Sequence, residues 1–206
     1  MPERVRQARG QLRRQEILRA ALRCFAELSY ERATIADIRR SSGASTGSLY
    51  HLFRSKEEIG SALYLEGIRA YQNGLLAELE RHRTARGGLR AMVGHHLRWV
   101  SSHRDWARYI LYTRRAELLT ETRADLRELN RTFNDRMQRW FEPHLARGTL
   151  RRLPPEVMTA LIIGPCQELS RRIVAGRLRT GVTEASRHIG QALWRALAMQ
   201  APGGST

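Results

Sequence analysis

Apolar residues recur every three or four positions along almost the whole chain, and no stretch alternates apolar and polar residues as a half-buried strand would. Ile17, Ala21, Phe25 and Leu28 form one stripe, with Leu18 and Leu22 beside it. That stripe predicts a helix from about Arg13 to Leu28, followed by the polar turn Ser29–Ala33. Thr34 has the character of an N-cap, and Asp37, three residues on, completes a variant capping box. It opens a short helix from Ile35 to about Ser41, and Gly43 suits the positive φ of a C-terminal cap. Ser45 caps a third short helix that runs to about Phe53. Ser55 caps a fourth, with Glu57 and Glu58 at its positive N-terminal end, that runs to about Arg83.

Residues 84–88 then read as a linker, and further helices are predicted over Leu89–Ser102, Asp105–Leu119 and Thr122–Ala146. Two more run from Pro155 to about Leu178 and from Thr183 to about Gln200. The expectation is an all-α protein of about nine helices. It divides into a disordered basic tail (1–11), a three-helix unit (12–57), a larger helical domain (58–200) and a disordered tail (201–206).

The chain has 206 residues, enough for one or two real cores, and no apolar run approaches the roughly 20 residues of a membrane span. The charged start MPERVRQARG is unlike a signal peptide, so a cytoplasmic location without membrane contact is expected. Cys24 and Cys166 lie within apolar helical patterns and read as buried thiols. A net charge of +16 favours a polyanionic partner, above all nucleic acid. Arginine accounts for 35 of the 36 basic residues, so part of that excess is compositional. The stretch to Lys56 carries 12 basic and 5 acidic residues, a higher density than the remainder.

Two short helices joined by a glycine-containing turn, with another helix packed behind, form a helix-turn-helix. The second of the pair lies in the major groove in such units. Here it is Ser45-Thr46-Gly47-Ser48-Leu49-Tyr50-His51-Leu52-Phe53. Leu49 and Phe53 are four apart and face inward, whereas Ser45, Thr46, Gly47 and Ser48 are small enough to let the backbone approach DNA. Tyr50 and His51 carry donors suited to phosphates.

The stretch TIADIRRSSGASTGSLYHLFRSKEEI resembles the signature of the TetR/AcrR family of transcriptional regulators, matching at Thr34, Ile38, Gly43, Ser45, Gly47, Tyr50, Phe53 and Lys56. The resemblance covers about the first quarter of the chain. It implies that Thr34 caps its helix and touches a phosphate, and that Ser45, Thr46 and Ser48 face base edges or nearby phosphates. It also implies phosphate contacts for Tyr50 and Lys56, the latter the only lysine. Arg39 and Ser42 replace the family's alanines, and Ala44 its valine. Leu52 stands where a phosphate-binding histidine is frequent, with His51 one residue earlier.

The resemblance further implies a helical C-terminal domain that binds a small effector and forms a homodimer through the last two helices. Leu161, Ile162 and Leu169 on the penultimate helix, and Ile189, Ala192, Leu193 and Ala196 on the final one, are the interface candidates. Pro165 should kink the penultimate helix, because it removes the hydrogen bond to Leu161. The middle helices carry Trp99, Trp106, Tyr109, Tyr112, Phe133, Met137 and Trp140, a set suited to an apolar or aromatic effector or to an ordinary core. Arg98, Arg114 and Arg115 could pair with an acidic head group or with solvent. His82, His95, His96 and His103 do not fall at the spacing of a metal motif. No nucleophile elbow, zinc-protease, P-loop or dinucleotide motif occurs, so neither an enzyme nor a cofactor is expected. The reading is a ligand-responsive repressor that binds a palindromic double-stranded DNA operator as a dimer. An activator of the same family and a non-specific nucleic-acid-binding protein are the alternatives.

Overall fold

The computed structural model describes residues 2–113 and 122–199. Among the described residues the architecture is all-α, with nine helices and one isolated antiparallel bridge, Leu150 to Ala198. In chain order the helices are α1 (Pro2–Leu28), α2 (Ile35–Ser42), α3 (Thr46–Leu52), α4 (Lys56–Glu80), α5 (Ala85–Ser102), α6 (Arg104–Tyr112), α7 (Arg123–Ala146), α8 (Pro155–Val174) and α9 (Val182–Leu197). No helix among them is long and apolar enough to cross a membrane. Arg114, Arg115 and the tail 201–206 lie outside the described residues.

Two expectations about helix starts are corrected. Residues 2–11 belong to α1 rather than to a disordered tail. Proline costs nothing in a first helical turn, where its missing N–H would lack a partner anyway. Arg, Gln, Ala and Glu are good helix formers, and only Gly10 opposes the helix, by about 1 kcal/mol. Residues 85–88 are likewise the first turn of α5 rather than a linker. Thr84 caps it, its hydroxyl accepting from the Gly87 N–H at 3.2 Å. Gly88 is required by packing: a Cβ there would run into the Trp140 indole.

The chain packs into two compact units. The first takes residues up to Ile68 together with those from Asp105 to Glu128, and the second Arg69–Arg104 with residues from Leu129 onward. The boundary expected after residue 57 therefore falls about three turns later, within α4. Ile59, Leu63 and Tyr64 are buried in the same core as Ile17, Phe25, Ile38, Leu49 and Phe53, and Tyr109 of α6 joins them. Each large apolar side chain buried there stabilises the unit by roughly 1.5–3 kcal/mol.

The second core gathers Leu75 and Leu79 of α4, Leu89 and Met92 of α5, Ile162 of α8 and Leu197 of α9. Helices α8 and α9 both pack on α5. Phe133, Met137, Trp140 and Phe141, spaced along one face of α7, lie partly buried against this core.

Candidate nucleic-acid interface

The first unit builds its exposed face from capped short helices. The Thr34 hydroxyl accepts from the Asp37 N–H at 3.2 Å, while the Asp37 carboxylate accepts from the Thr34 N–H at 3.0 Å. The two hydrogen bonds from Thr34, with the hydroxyl foremost, hold the Asp37 carboxyl below its usual range. Gly43 closes α2 with φ +63°, a left-handed conformation that costs glycine little. The chain can then turn at once into α3, where the Ser45 hydroxyl accepts from the Ser48 N–H at 3.2 Å. Leu49 and Phe53 anchor α3 from below, at 0% and 1% exposure. Its opposite face is open: Thr46, Gly47, Tyr50 and His51 are exposed, and Ser48 is half-buried. Ser45 is exposed as well, but its hydroxyl is engaged in the cap.

Lys56 sits differently from the other expected DNA contacts. Its ammonium donates to the Tyr30 carbonyl at 3.0 Å and to the Glu31 carbonyl at 3.4 Å. It also lies 4.6 Å from the centre of the Tyr30 ring. Two of its three N–H donors therefore serve the turn between α1 and α2. A compact ammonium suits this site better than a planar guanidinium fork. Below the turn, Phe25 stacks on Tyr109 at 5.4 Å and meets Tyr30 edge-on at 5.1 Å. The Tyr109 hydroxyl donates to the Gly60 carbonyl at 2.8 Å.

The expected effector residues do not form one cluster. Tyr109 is packed into the core of the first unit, 2% exposed, because α6 turns that face onto α1. Trp106 packs against the same core, and Tyr112 is 56% exposed. The remaining four belong to the second unit. Phe133, Met137 and Trp140 line its core, and Trp99 meets Tyr71 edge-on and stacks on His103. The Trp140 indole N–H donates to the His82 carbonyl at 2.9 Å.

The dimer candidates divide similarly. Ile162 and Leu193, each 4% exposed, lie in the interior of their own chain, on the faces of α8 and α9 turned toward α5. Leu161, Leu169 and Ile189 are half-buried, and Ala192 and Ala196 are exposed. On α8, Val157, Ala160, Gly164 and Pro165 are exposed as well. Pro165 lies inside that helix, which is continuous from Pro155 to Val174.

The second unit also holds a buried polar relay that pattern reading missed. The Tyr71 hydroxyl lies 2.7 Å from His96 Nδ1, and His96 Nε2 lies 2.9 Å from the Ser170 hydroxyl. That hydroxyl donates to the Cys166 carbonyl at 2.8 Å. Ser170 has one proton and gives it to the carbonyl, so it accepts from His96 Nε2–H. His96 Nδ1 in turn accepts from Tyr71. The imidazole is thus neutral, and burial holds its pKa down at about 4. Burial raises the Tyr71 phenol and pushes the Cys166 thiol up to about 12. Beside the relay, Gln72 donates from Nε2 to Asn130 Oδ1 at 2.9 Å. Gln72 is 6% exposed, and its Oε1 has no hydrogen-bond partner among the described residues. His95 also turns inward, its Nε2 3.1 Å from the Tyr71 carbonyl. Among the described residues no three His, Cys, Asp or Glu side chains converge as metal ligands would.

A capped helix pair with an open second helix, carried by an otherwise helical chain, is the build of a helix-turn-helix regulator. Comparison with known proteins makes this specific. Residues 17–63 match the family of bacterial regulatory proteins of the tetR type, and residues 82–171 match the tetracyclin repressor-like C-terminal domain. The chain belongs to the TetR family. It is similar to the HTH-type transcriptional repressor AcnR of Corynebacterium diphtheriae, 39% identical over 34% of this chain and 44% of that protein. A similar match to AcnR of Corynebacterium glutamicum, 37% identical, covers 34% and 43%. The chain thus matches less than half the length of these curated relatives.

In fold it resembles a TetR family regulator from Marinobacter aquaeolei VT8, with TM-score 0.77 and 18% identity over 94% of this chain and all of that one. It also resembles the fold of the regulator FadR from Bacillus subtilis, solved with stearoyl-CoA, with TM-score 0.73 and 18% identity over 87% and 96%.

Proposed function

We propose that this protein is a transcriptional repressor that binds a palindromic operator as a homodimer and releases it when a small molecule binds the second unit. The open face of α3 carries the reading. Thr46, Gly47, Tyr50 and His51 are exposed on a helix held from below by Leu49 and Phe53. Small side chains at its start permit close backbone approach, with Ser48 beside them at the groove edge. Tyr50 and His51 donate to phosphates. Thr34 and Ser45 position the two helices through their caps. Lys56 acts chiefly by fixing the α1–α2 turn, with one donor left for a phosphate.

One such helix reads only a few base pairs, so two copies are needed. The exposed small and apolar residues Val157, Ala160, Gly164, Ala192 and Ala196, with half-buried Leu161, Leu169 and Ile189, supply a face for the second copy. Selection of bound duplexes from a random pool tests the proposal. The expected product is an inverted repeat with half-site centres about 34–36 Å apart, or a multiple of that. A protein that sediments as a monomer and enriches no sequence overturns it.

For the effector, the second unit offers Phe133 and Met137 as apolar wall and Gln72 Oε1 as a buried acceptor unmatched among the described residues. Those features favour an apolar or aromatic body that carries one hydrogen-bond donor. Operator and effector must then weaken one another equally, by a factor of about 5–150.

A further inference from the structure

The face of α1 that packs into the first core continues beyond that core. Ile17, Ala20, Ala21 and Cys24 are buried on it. Counted back toward the N-terminus at the same spacing of three and four, the stripe continues as Arg13 and Arg14, then Arg9 and Gly10, then Arg6. The helix is continuous from Pro2 to Leu28, so these side chains point the same way as the apolar stripe. One contact bears this out: the Arg14 guanidinium lies 5.2 Å from the centre of the Phe53 ring, immediately after α3. Arg13 pairs with Glu16 at 2.9 Å, and Arg6 and Arg9 are exposed. Nothing lies within 4 Å of where a Gly10 Cβ would be.

From Pro2 to Glu16 there are five arginines and two glutamates. Arg6, Arg9 and Arg13 stand three and four apart, where like charges oppose a helix by about 0.2–0.5 kcal/mol per pair. An anion laid along the stripe removes that opposition, and Gly10 leaves room for it to come close.

We infer that residues 2–14 of α1 form a basic arm that lies on the DNA backbone flanking the half-site read by α3, with Arg6 and Arg9 on phosphates. The inference rests on the DNA-binding reading above. From Arg14 to Arg6 is eight residues, about 12 Å along a helix, which spans about three to four base pairs of flanking duplex.

The test uses the full-length protein and the duplex it selects, with the half-sites either flush with the ends or extended by flanks of about ten base pairs. Arg6→Ala/Arg9→Ala removes four phosphate contacts per dimer. The slope of log affinity against log salt on flanked duplex should fall by about 3.6, and affinity near 0.1 M salt should drop about tenfold or more. On flush duplex the variant and the wild type should bind alike. Gly10→Pro keeps every charge but breaks the helix, and should lose the same flank dependence.

An unchanged salt slope in the double variant, on DNA that the wild type selects and binds, overturns the arm while leaving the regulator reading intact. So does a Gly10→Pro variant that behaves as wild type. Val5 and Leu12, 52% and 55% exposed, allow a protein partner instead, and a shifted sedimentation coefficient with unchanged slope would assign the arm to that partner. A wild type that selects no DNA overturns both readings together.

Discussion

The two units treat polar groups in opposite ways. In the first, the helix-turn-helix keeps its polar groups at the rim, where Thr34, Ser45 and Ser55 cap helices and Lys56 ties a turn. Its interior is mostly aliphatic and aromatic, with Ser61 the buried polar side chain and the Tyr109 hydroxyl satisfied by the Gly60 carbonyl. The second unit draws polar groups inside: Tyr71, His96 and Ser170 form a chain through it, and Gln72 meets Asn130 beside them. An apolar core holds one arrangement, because no alternative restores its packing. A buried hydrogen-bonded chain is held while every member is satisfied, and Gln72 Oε1, without a partner among the described residues, is the place where a ligand donor would gain most. On the proposed function, the first unit keeps its shape as the reading head, and the second holds the polar groups that an effector would meet.

The largest test of that contrast is Phe53→Ala. It removes a fully buried ring from beneath α3 and should destabilise the first unit by about 3–5 kcal/mol in denaturant titrations. A loss below about 1 kcal/mol would show that the first core can collapse around a missing ring, and so is not the rigid half.

Acid should distinguish the units next. The folded pKa of His96, about 4, lies below the unfolded value of 6.5. The unfolded chain therefore binds the extra proton between those values, and stability is complete above pH 6.5. It is lost as pH falls toward 4, and the loss levels off below that. The gap of 2.5 units at 1.36 kcal/mol each gives about 3 kcal/mol from this histidine. Burial lowers His95 as well, so it adds in the same direction. The loss should appear in thermal melts of the second unit between pH 7 and pH 4.5, and should shrink in His96→Asn. Equal acid sensitivity in the two proteins would mean that the relay is not what titrates.

How much of this was legible in the sequence follows from how local each rule is. The reading head was legible because a cap, a turn glycine and two inward residues four apart all fall within 20 residues, Thr34 to Phe53. The first turn of α5 was misread because Gly87 and Gly88 look like a linker. The reason Gly88 is glycine is Trp140, 52 positions away. The relay has the same character: Tyr71, His96 and Ser170 share no spacing, and only the packing of α4, α5 and α8 brings them together. Ile162 and Leu193, buried against their own chain, raise another point. A helix with two apolar faces does not say which one its own chain covers.

Lys56 offers a smaller test on the rim of the first unit. Lys56→Ala removes two charge-assisted hydrogen bonds and the contact with the Tyr30 ring. On a half-buried site this should cost about 1–2 kcal/mol. If the turn is its main task, the melting temperature should fall in the absence of DNA. The salt slope should then change by no more than about one ion per subunit. A variant with wild-type stability and a reduced slope would return Lys56 to a purely phosphate-binding role.

The smallest effect gives the most direct comparison, because the same chemistry occurs once in each unit. Thr34 caps α2 and Thr84 caps α5, each accepting from the backbone N–H three residues on at 3.2 Å. Removing either hydroxyl, in Thr34→Ala or Thr84→Ala, should lower stability by a similar amount, about 1 kcal/mol. Their effects on DNA should differ. Thr34 sets the start of the helix that leads, through Gly43, into α3. Thr84 opens α5, which packs with α8 and α9 in the second unit. Thr34→Ala should therefore weaken operator binding severalfold at a temperature where both variants are fully folded, and Thr84→Ala should leave it unchanged. Equal weakening would mean that losing one cap in the second unit affects α3 as much as losing the cap of α2 does, and the separate roles given to the two units would fail.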